Sequence, residues 1–439
     1  MSVAIEADGG MRAANPAVAP VRQLLTARTG PHEHGDSSLS PPAGESLGLG
    51  ARSAQQAACK GLAFEIVRAR AAFDSLEADW NDLFERAGSG AHVFQTFNWC
   101  WHWTRHYLPE HSGKIRLAIV TARHRGRLVL VWPLVVERVA GLRQIAWMGG
   151  PPAQYGDILV DPDLDPGLDV AAAIAAAHQY LVAEVPADLM RLRLVRADAT
   201  IAPHLARSGA RVTETYEAPY LDLASAADFA TYETRYPAKA RKNRRRLLRR
   251  LDERAEVRFD DLVPSALAAD MAATAITMKR RWLESRNLVS KALACDRMIA
   301  FMRSVAESQD RPVGCEVSVL RAGSDAASVQ IGFRCRDRLA LHVIVFDLDY
   351  EKAGAGVLHL EHAVARACVS GASTLDLLAP RSDYKMDWAD GATPVADYAL
   401  PLTLAGRLYI EAYLMRLRAR LKVLAPHLPA RLRQWASNA

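Results

Sequence analysis

The stretch from Leu339 to Leu360, LALHVIVFDLDYEKAGAGVLHL, constrains the fold of this chain more than any other. Leu339 to Phe346 is apolar apart from His342 and rich in β-branched residues, the pattern of a strand covered on both faces. Asp347 to Gly356 supplies a turn with two glycines, Gly354 and Gly356. Val357, Leu360, Val364, Ala367 and Cys368 follow at helical spacing. Unpaired first-turn amides and the positive end of the helix dipole make such a junction a place for an anion. Glycine lets the backbone approach a phosphate closely. The same stretch also reads as an ordinary β–α connection, because glycine is the commonest loop punctuation.

The helix ends near Gly371, and Thr374 to Leu378 reads as the next strand. Asp383-Tyr384-Lys385-Met386-Asp387-Trp388 follows. Together with Phe346, Asp347, Tyr350, Gly356, Leu360 and Asp376, this order resembles the second half of the GNAT-type acyltransferase fold. It is more closely similar to the CelD-like branch associated with cellulose and exopolysaccharide biosynthesis. Val93 to Trp103 and Gln144 to Asp161 resemble the N-terminal half of the same family. Ala355 stands where the family pattern has proline. Glu351 stands where many GNAT loops carry Gln or Arg, which would set a carboxylate near phosphates.

The resemblance implies an α/β (α+β) chain of two tandem GNAT-like domains, each a mixed central sheet flanked by helices. The expected limits are 61–215 and 216–405. It implies acetyl-CoA or another acyl-CoA as co-substrate, no metal, and an acceptor from envelope or exopolysaccharide metabolism or a small molecule. Val345, Phe346, Gly354, Ala355, Gly356 and Val357 are the implied donor-binding positions, and Tyr384 and Lys385 fall on the family's last motif. Tyr384 would protonate a leaving thiolate, and Lys385 would hold a phosphate or carboxylate. Asp347 and His342 are the titratable groups nearest the expected splayed strand and so the candidates for a general base. Arg241 and Arg245, with Tyr155 and Asp157, are the candidate acceptor contacts.

Composition narrows the rest. Residues 1–60 contain no Phe, Trp or Tyr, so they bury too little apolar surface to offset their ordering entropy and read as a disordered tail. Six cysteines without a CxxC pair argue against a disulfide framework or a zinc site and fit a reducing cytoplasm. No apolar run approaches the ~20 residues of a membrane-spanning helix. The net charge of +6 is uneven: residues 238–258 hold ten Lys/Arg against three Asp/Glu, and residues 406–439 hold seven against one. Two basic patches on an otherwise acidic chain suggest local anion contacts rather than DNA binding. Arg241 to Arg250 carries a stripe of Ala240, Leu247, Leu248 and Leu251, so it also reads as an amphipathic helix with a solvated basic face. Residues 406–439 read as a basic amphipathic helix that either packs on the second domain or touches an anionic membrane or a synthase.

Further helices are expected at Phe73–Ala87 and Ala266–Ser285, with strands at Ile115–Ala122, Arg127–Val136 and Met190–Val195. Trp99 and Trp103 share a helical face and read as core, although they could also stack on sugar rings. His359 and His362 have metal-ligand spacing but no third ligand in register. Two other functions stay open from the sequence. One is a Fem-type ligase using aminoacyl-tRNA, with the arginine-rich helix on RNA. The other is a non-catalytic GNAT-like subunit of a polysaccharide synthase.

Overall fold

A computed structural model describes residues 61–108, 113–164, 169–288, 290–309, 314–418 and 420. The expected N-terminal tail and residues 421–439 of the expected C-terminal helix lie outside them. The first half contains β1 (Leu62–Val67), β2 (Ile115–Leu117), β3 (Ile119–His124), β4 (Arg127–Trp132), β5 (Leu134–Val139), β6 (Leu142–Trp147), β7 (Leu159–Val160) and β8 (Leu189–Arg196). Its main helices are α1 (Glu77–Ala87), α2 (Phe97–Tyr107) and α3 (Val170–Glu184). The second half contains β9 (Arg211–Asp222), α4 (Ala238–Asp252), β10 (Val257–Leu262), α5 (Ala266–Ser285) and α6 (Asp296–Glu307). Then come β11 (Gly314–Ala322), β12 (Asp325–Cys335), β13 (Arg338–Phe346), α7 (Ala355–Val369), β14 (Thr374–Asp376), α8 (Asp383–Met386) and β15 (Gly391–Pro401).

The halves share one sheet. Eleven strands run in the order β10-β11-β12-β13-β14-β9-β15-β8-β6-β5-β2, and β1-β3-β4-β7 form a second, four-stranded sheet. The joint is β15, which pairs antiparallel with β9 on one side and with β8 of the first half on the other. Residues 215 and 216, the expected domain limit, lie inside β9.

Two expected strands turn out to be split between the sheets. The chain crosses between sheets at Ala118, whose amide makes the last bond to β5 at Leu134 before Ile119 pairs with β1, and this divides 115–122 into β2 and β3. Pro133 breaks 127–136 into β4 and β5, because proline has no N–H to donate to a ladder. The expected helix 73–87 is interrupted at Ser75 and Leu76, and α1 starts at Glu77.

The largest core cluster crosses the halves, joining Trp80, Trp99 and Trp103 to Phe301, Phe333 and Val343. Trp99 is fully buried and meets Phe301 and Phe333 edge-on at 4.9 and 5.0 Å. It is core, as its helical face predicts. α5 packs on β12 and β13 from this side. α7 covers the opposite face, where Leu339, Leu341, Leu360 and Trp388 cluster.

Among the described residues no helix is long and apolar enough to cross a membrane. The described part of the C-terminal helix buries Ile410 and Leu414 beside Leu189 and Ala399. One of its arginines, Arg418, is buried on Glu214 at 2.9 Å.

Candidate active site

The centre of the second half is a fork between two parallel strands. β13 and β14 pair only through Arg338–Thr374, Leu339–Leu375 and Ala340–Asp376. Beyond that point β13 continues six residues, Leu341 to Phe346, while the other chain turns away. The expected strand 374–378 is therefore shorter. Leu378 takes a left-handed φ of 59°, which costs a non-glycine residue on the order of 1–2 kcal/mol. The Asp376 carboxylate holds this turn by accepting the Leu378 N–H at 2.8 Å.

The open edge of β13 carries usable backbone groups. On its other edge, Asp347 N–H bonds the Ala327 carbonyl, and Val345 pairs with Val329. Antiparallel pairs alternate, so the main chains of Val343 and Val345 turn to β12, and those of Ile344 and Phe346 turn to the fork. Of the two expected donor-binding strand residues, Phe346 thus faces the open edge and Val345 does not. A β-bulge lies at His342, the extra residue between the Ile331–Val343 and Gly332–Leu341 pairs. His342 and Val343 consequently both project toward α5 and α2. The His342 Nε2–H donates to Pro152 at 2.7 Å, which leaves Nδ1 as a buried acceptor without a partner. Burial among Phe94, Trp99 and Phe333 pushes its pKa down to about 4.

One lysine stands on each arm of the fork. Lys385, from α8, donates to the carbonyls of Leu378 at 2.8 Å and Pro380 at 2.9 Å. Lys279, from α5, donates to Ile344 on the open edge at 3.4 Å. Burial brings Lys385 down to about 7; Asp376 opposes this shift and the Lys279 ammonium adds to it. Burial, aided by Arg286, brings Lys279 down to about 8. Trp282 lies between Lys279 and Arg286, with the two cations 4.3 and 4.2 Å from its ring centre. Lys279, Trp282 and Arg286 recur at helical spacing, so one face of α5 lines the fork. Nothing in the sequence distinguishes Lys279 from a solvent-facing lysine; only the packing of α5 across β13 does.

The loop after β13 leads to the α7 N-terminus. Gly354 has φ +75°, and a Cβ there would meet Leu247 of α4 at 2.8 Å. α4 thus packs its apolar stripe, Leu247 and Leu251, on Ala355 and Leu358 in the first turn of α7, which contains no acidic residue. Glu351 pairs with Arg286 at 2.5 Å, so its charge is offset before any phosphate arrives. Asp347 spends one carboxylate oxygen on the Asp349 N–H, as a turn aspartate does. Tyr384 is 48% exposed, and its hydroxyl has no hydrogen-bond partner among the described residues.

The expected acceptor contacts lie elsewhere. Tyr155 is buried at the root of the fork and donates to Asp376 at 2.9 Å. Asp157 accepts from His92 at 2.9 Å and from the amides of Ile158, Thr200 and Ile201. Both line a cavity of about 290 Å3 that reaches Arg338 and Thr374, at the paired ends of β13 and β14. Arg245 is exposed on α4 and paired with Glu233, and Arg241 keeps a buried Nε without a partner. Their neighbour Arg244 is the buried one, on Glu361 at 2.5 Å and stacked on Trp388 and Tyr236. His359 is enclosed by Ser318 and Ser328, and His362 bonds Asp261. Among the described residues no group of three or more His, Cys, Asp or Glu could hold a metal ion.

Residues 238–386, from the start of α4 to the end of α8, match the family model described as acetyltransferase (GNAT) domain. The chain therefore carries an acyltransferase domain of the GNAT type, and it contains the fork, both lysines and the glycine loop. No curated protein sequence matches the chain. Among solved structures, FemX aligns at 10% identity and a TM-score of 0.49, over 80% of this chain and 100% of that one. L-PGS from Bacillus licheniformis aligns at 10% identity and 0.48, over 78% and 96%. A tandem GNAT protein from the clavulanic acid biosynthesis pathway aligns at 13% and 0.44, over 77% and 99%.

Proposed function

We propose that this protein transfers an acyl group from a coenzyme A thioester to an amine or hydroxyl acceptor. The observation that carries this reading is the fork, with the main chains of Ile344 and Phe346 turned to its edge outside any strand ladder and the α7 N-terminus at its mouth. The donor's amide-bearing arm would extend the open edge of β13 as an extra strand, and its diphosphate would meet the first-turn amides of α7. An N–H on the open edge would polarise the thioester carbonyl. Asp347 keeps one carboxylate oxygen for the acceptor's proton, and the unpartnered Tyr384 hydroxyl can protonate the departing thiolate. The bulge re-aims the strand beside the reacting group. The acceptor class, an envelope or exopolysaccharide component, rests on the CelD-like resemblance.

The test is calorimetric titration of the full chain with acetyl-CoA. An aspartate at Gly356 would also press on Phe346, since a Cβ there meets that ring at 2.8 Å. Exposed Lys352, in the same loop, is the cleaner position. Lys352→Glu should weaken acetyl-CoA binding about tenfold, because it reverses a charge beside the diphosphate without touching the core. Absence of binding, or equal affinity in the variant, would remove this reading. Salt-sensitive tRNA binding in its place would favour the aminoacyl ligase.

A further inference from the structure

We infer that the fork binds an anionic oxygen group, a carboxylate or phosphate, between Lys279 and Lys385. This deepens the proposed transferase reading and rests on it. The two ammonium groups stand on opposite arms of the fork, one on the β13 edge and one beyond the end of β14. Their hydrogen-bond partners are neutral carbonyls. A half-buried cation without a counter-charge is costly unless a ligand supplies one.

The surrounding charges do not fill that role. Asp376 acts on Lys385 from β14, but it is fully buried and already accepts from Tyr155, Arg196, Arg338 and the Leu378 amide. Arg286, at the C-terminal cap of α5, adds a third cation and is itself paired with Glu351. His342 on β13 is held neutral. Asp383 and Asp387 flank α8 at its two ends and are exposed, and partial desolvation together with Asp383 raises the Asp387 pKa. The inner fork therefore carries two ammonium groups, neither of them hydrogen-bonded to a carboxylate. The same arrangement repels an α-ammonium, which works against an aminoacyl donor.

The anion can sit on the transferred acyl chain or on the acceptor. It would raise the pKa of both lysines, so its binding takes up protons between about pH 7 and pH 9. Two calorimetric arms separate the sources. One compares succinyl-CoA with butyryl-CoA, twins in chain length that differ by the carboxylate. The other saturates the full chain with acetyl-CoA and compares glucose 1-phosphate with glucose. In one arm the anion should bind at least about tenfold tighter than its neutral twin, with proton uptake seen as a heat that changes with buffer ionisation enthalpy. Lys279→Met and Lys385→Met should each bring that ratio toward one. Inorganic phosphate and succinate, titrated without any CoA ester, give a third measurement. Acetyl-CoA binding with no anion preference in either arm overturns the anion site and leaves the transferase standing. Lysine-dependent capture of phosphate or succinate without binding of any CoA ester overturns the transferase and leaves the anion site.

Discussion

Asp376 is the position where a single atom exchange should be felt furthest. Its carboxylate is fully buried and accepts four donors: Tyr155 at 2.9 Å, Arg196 at 3.1 Å, Arg338 at 2.8 Å and the Leu378 amide at 2.8 Å. Two of these donors belong to the first half and two to the second, so one side chain ties the halves together at the root of the fork. Asp376→Asn keeps the shape but must turn its NH2 toward either the two arginines or the Leu378 amide and Tyr155, and of these four only the tyrosine hydroxyl can accept. Each hydrogen bond to a charged group is worth about 1.5–3 kcal/mol, and orphaning a buried charge costs about 3–5 kcal/mol. Arg196 keeps Asp198 at 2.8 Å, which softens the loss on that side. The expected destabilisation is thus about 3–4 kcal/mol. With a urea m-value of about 3 kcal/mol/M for a chain of this size, the unfolding midpoint should fall by about 1 M. Tryptophan fluorescence follows it, since Trp99 and Trp103 are buried in the shared core. Tyr155→Phe removes a single neutral donor from the carboxylate and should cost less, about 1.5 kcal/mol. An Asp376→Asn midpoint within about 0.2 M of the parent would refute the hub argument.

The lysine pair predicts a pH dependence of stability. Both folded-state pKa values lie below the ordinary value of 10.5, near 7 for Lys385 and 8 for Lys279. Between about pH 7 and pH 10 the unfolded chain therefore binds more protons, and stability should rise with pH through that window. Lys385→Met should flatten this rise in urea titrations across the range, and an unchanged slope would contradict the assigned burial. Gln330 is 1% exposed, and both of its amide atoms lack partners, so Gln330→Leu should raise the unfolding midpoint by about 1–2 kcal/mol of stability. Destabilisation there would show that the amide has a partner in solution.

Much of this arrangement is legible in the chain itself. Apolar runs with β-branched residues mark β13, and helical spacing marks α5 and α7. A glycine marks the loop, because Gly354 must take positive φ against Leu247. The order of these elements matches that of an acyltransferase domain. Such signals are local: they depend on periodicity and turn chemistry within a few residues.

What the tertiary structure decided is where each charge ended up and which backbone groups stayed unpaired. Glu351 looks hostile to phosphate until Arg286, 65 positions earlier, is brought onto it. Lys279 looks like one cation in a basic helix until α5 crosses the open edge of β13. The fork exists because pairing stops at Ala340–Asp376, and the halves fuse because β15 bridges β8 and β9. Hydropathy along a chain reports which face of an element is buried. It carries no record of which distant residue supplies the neighbouring charge or strand, and those neighbours set both the titration of a lysine and the availability of an amide.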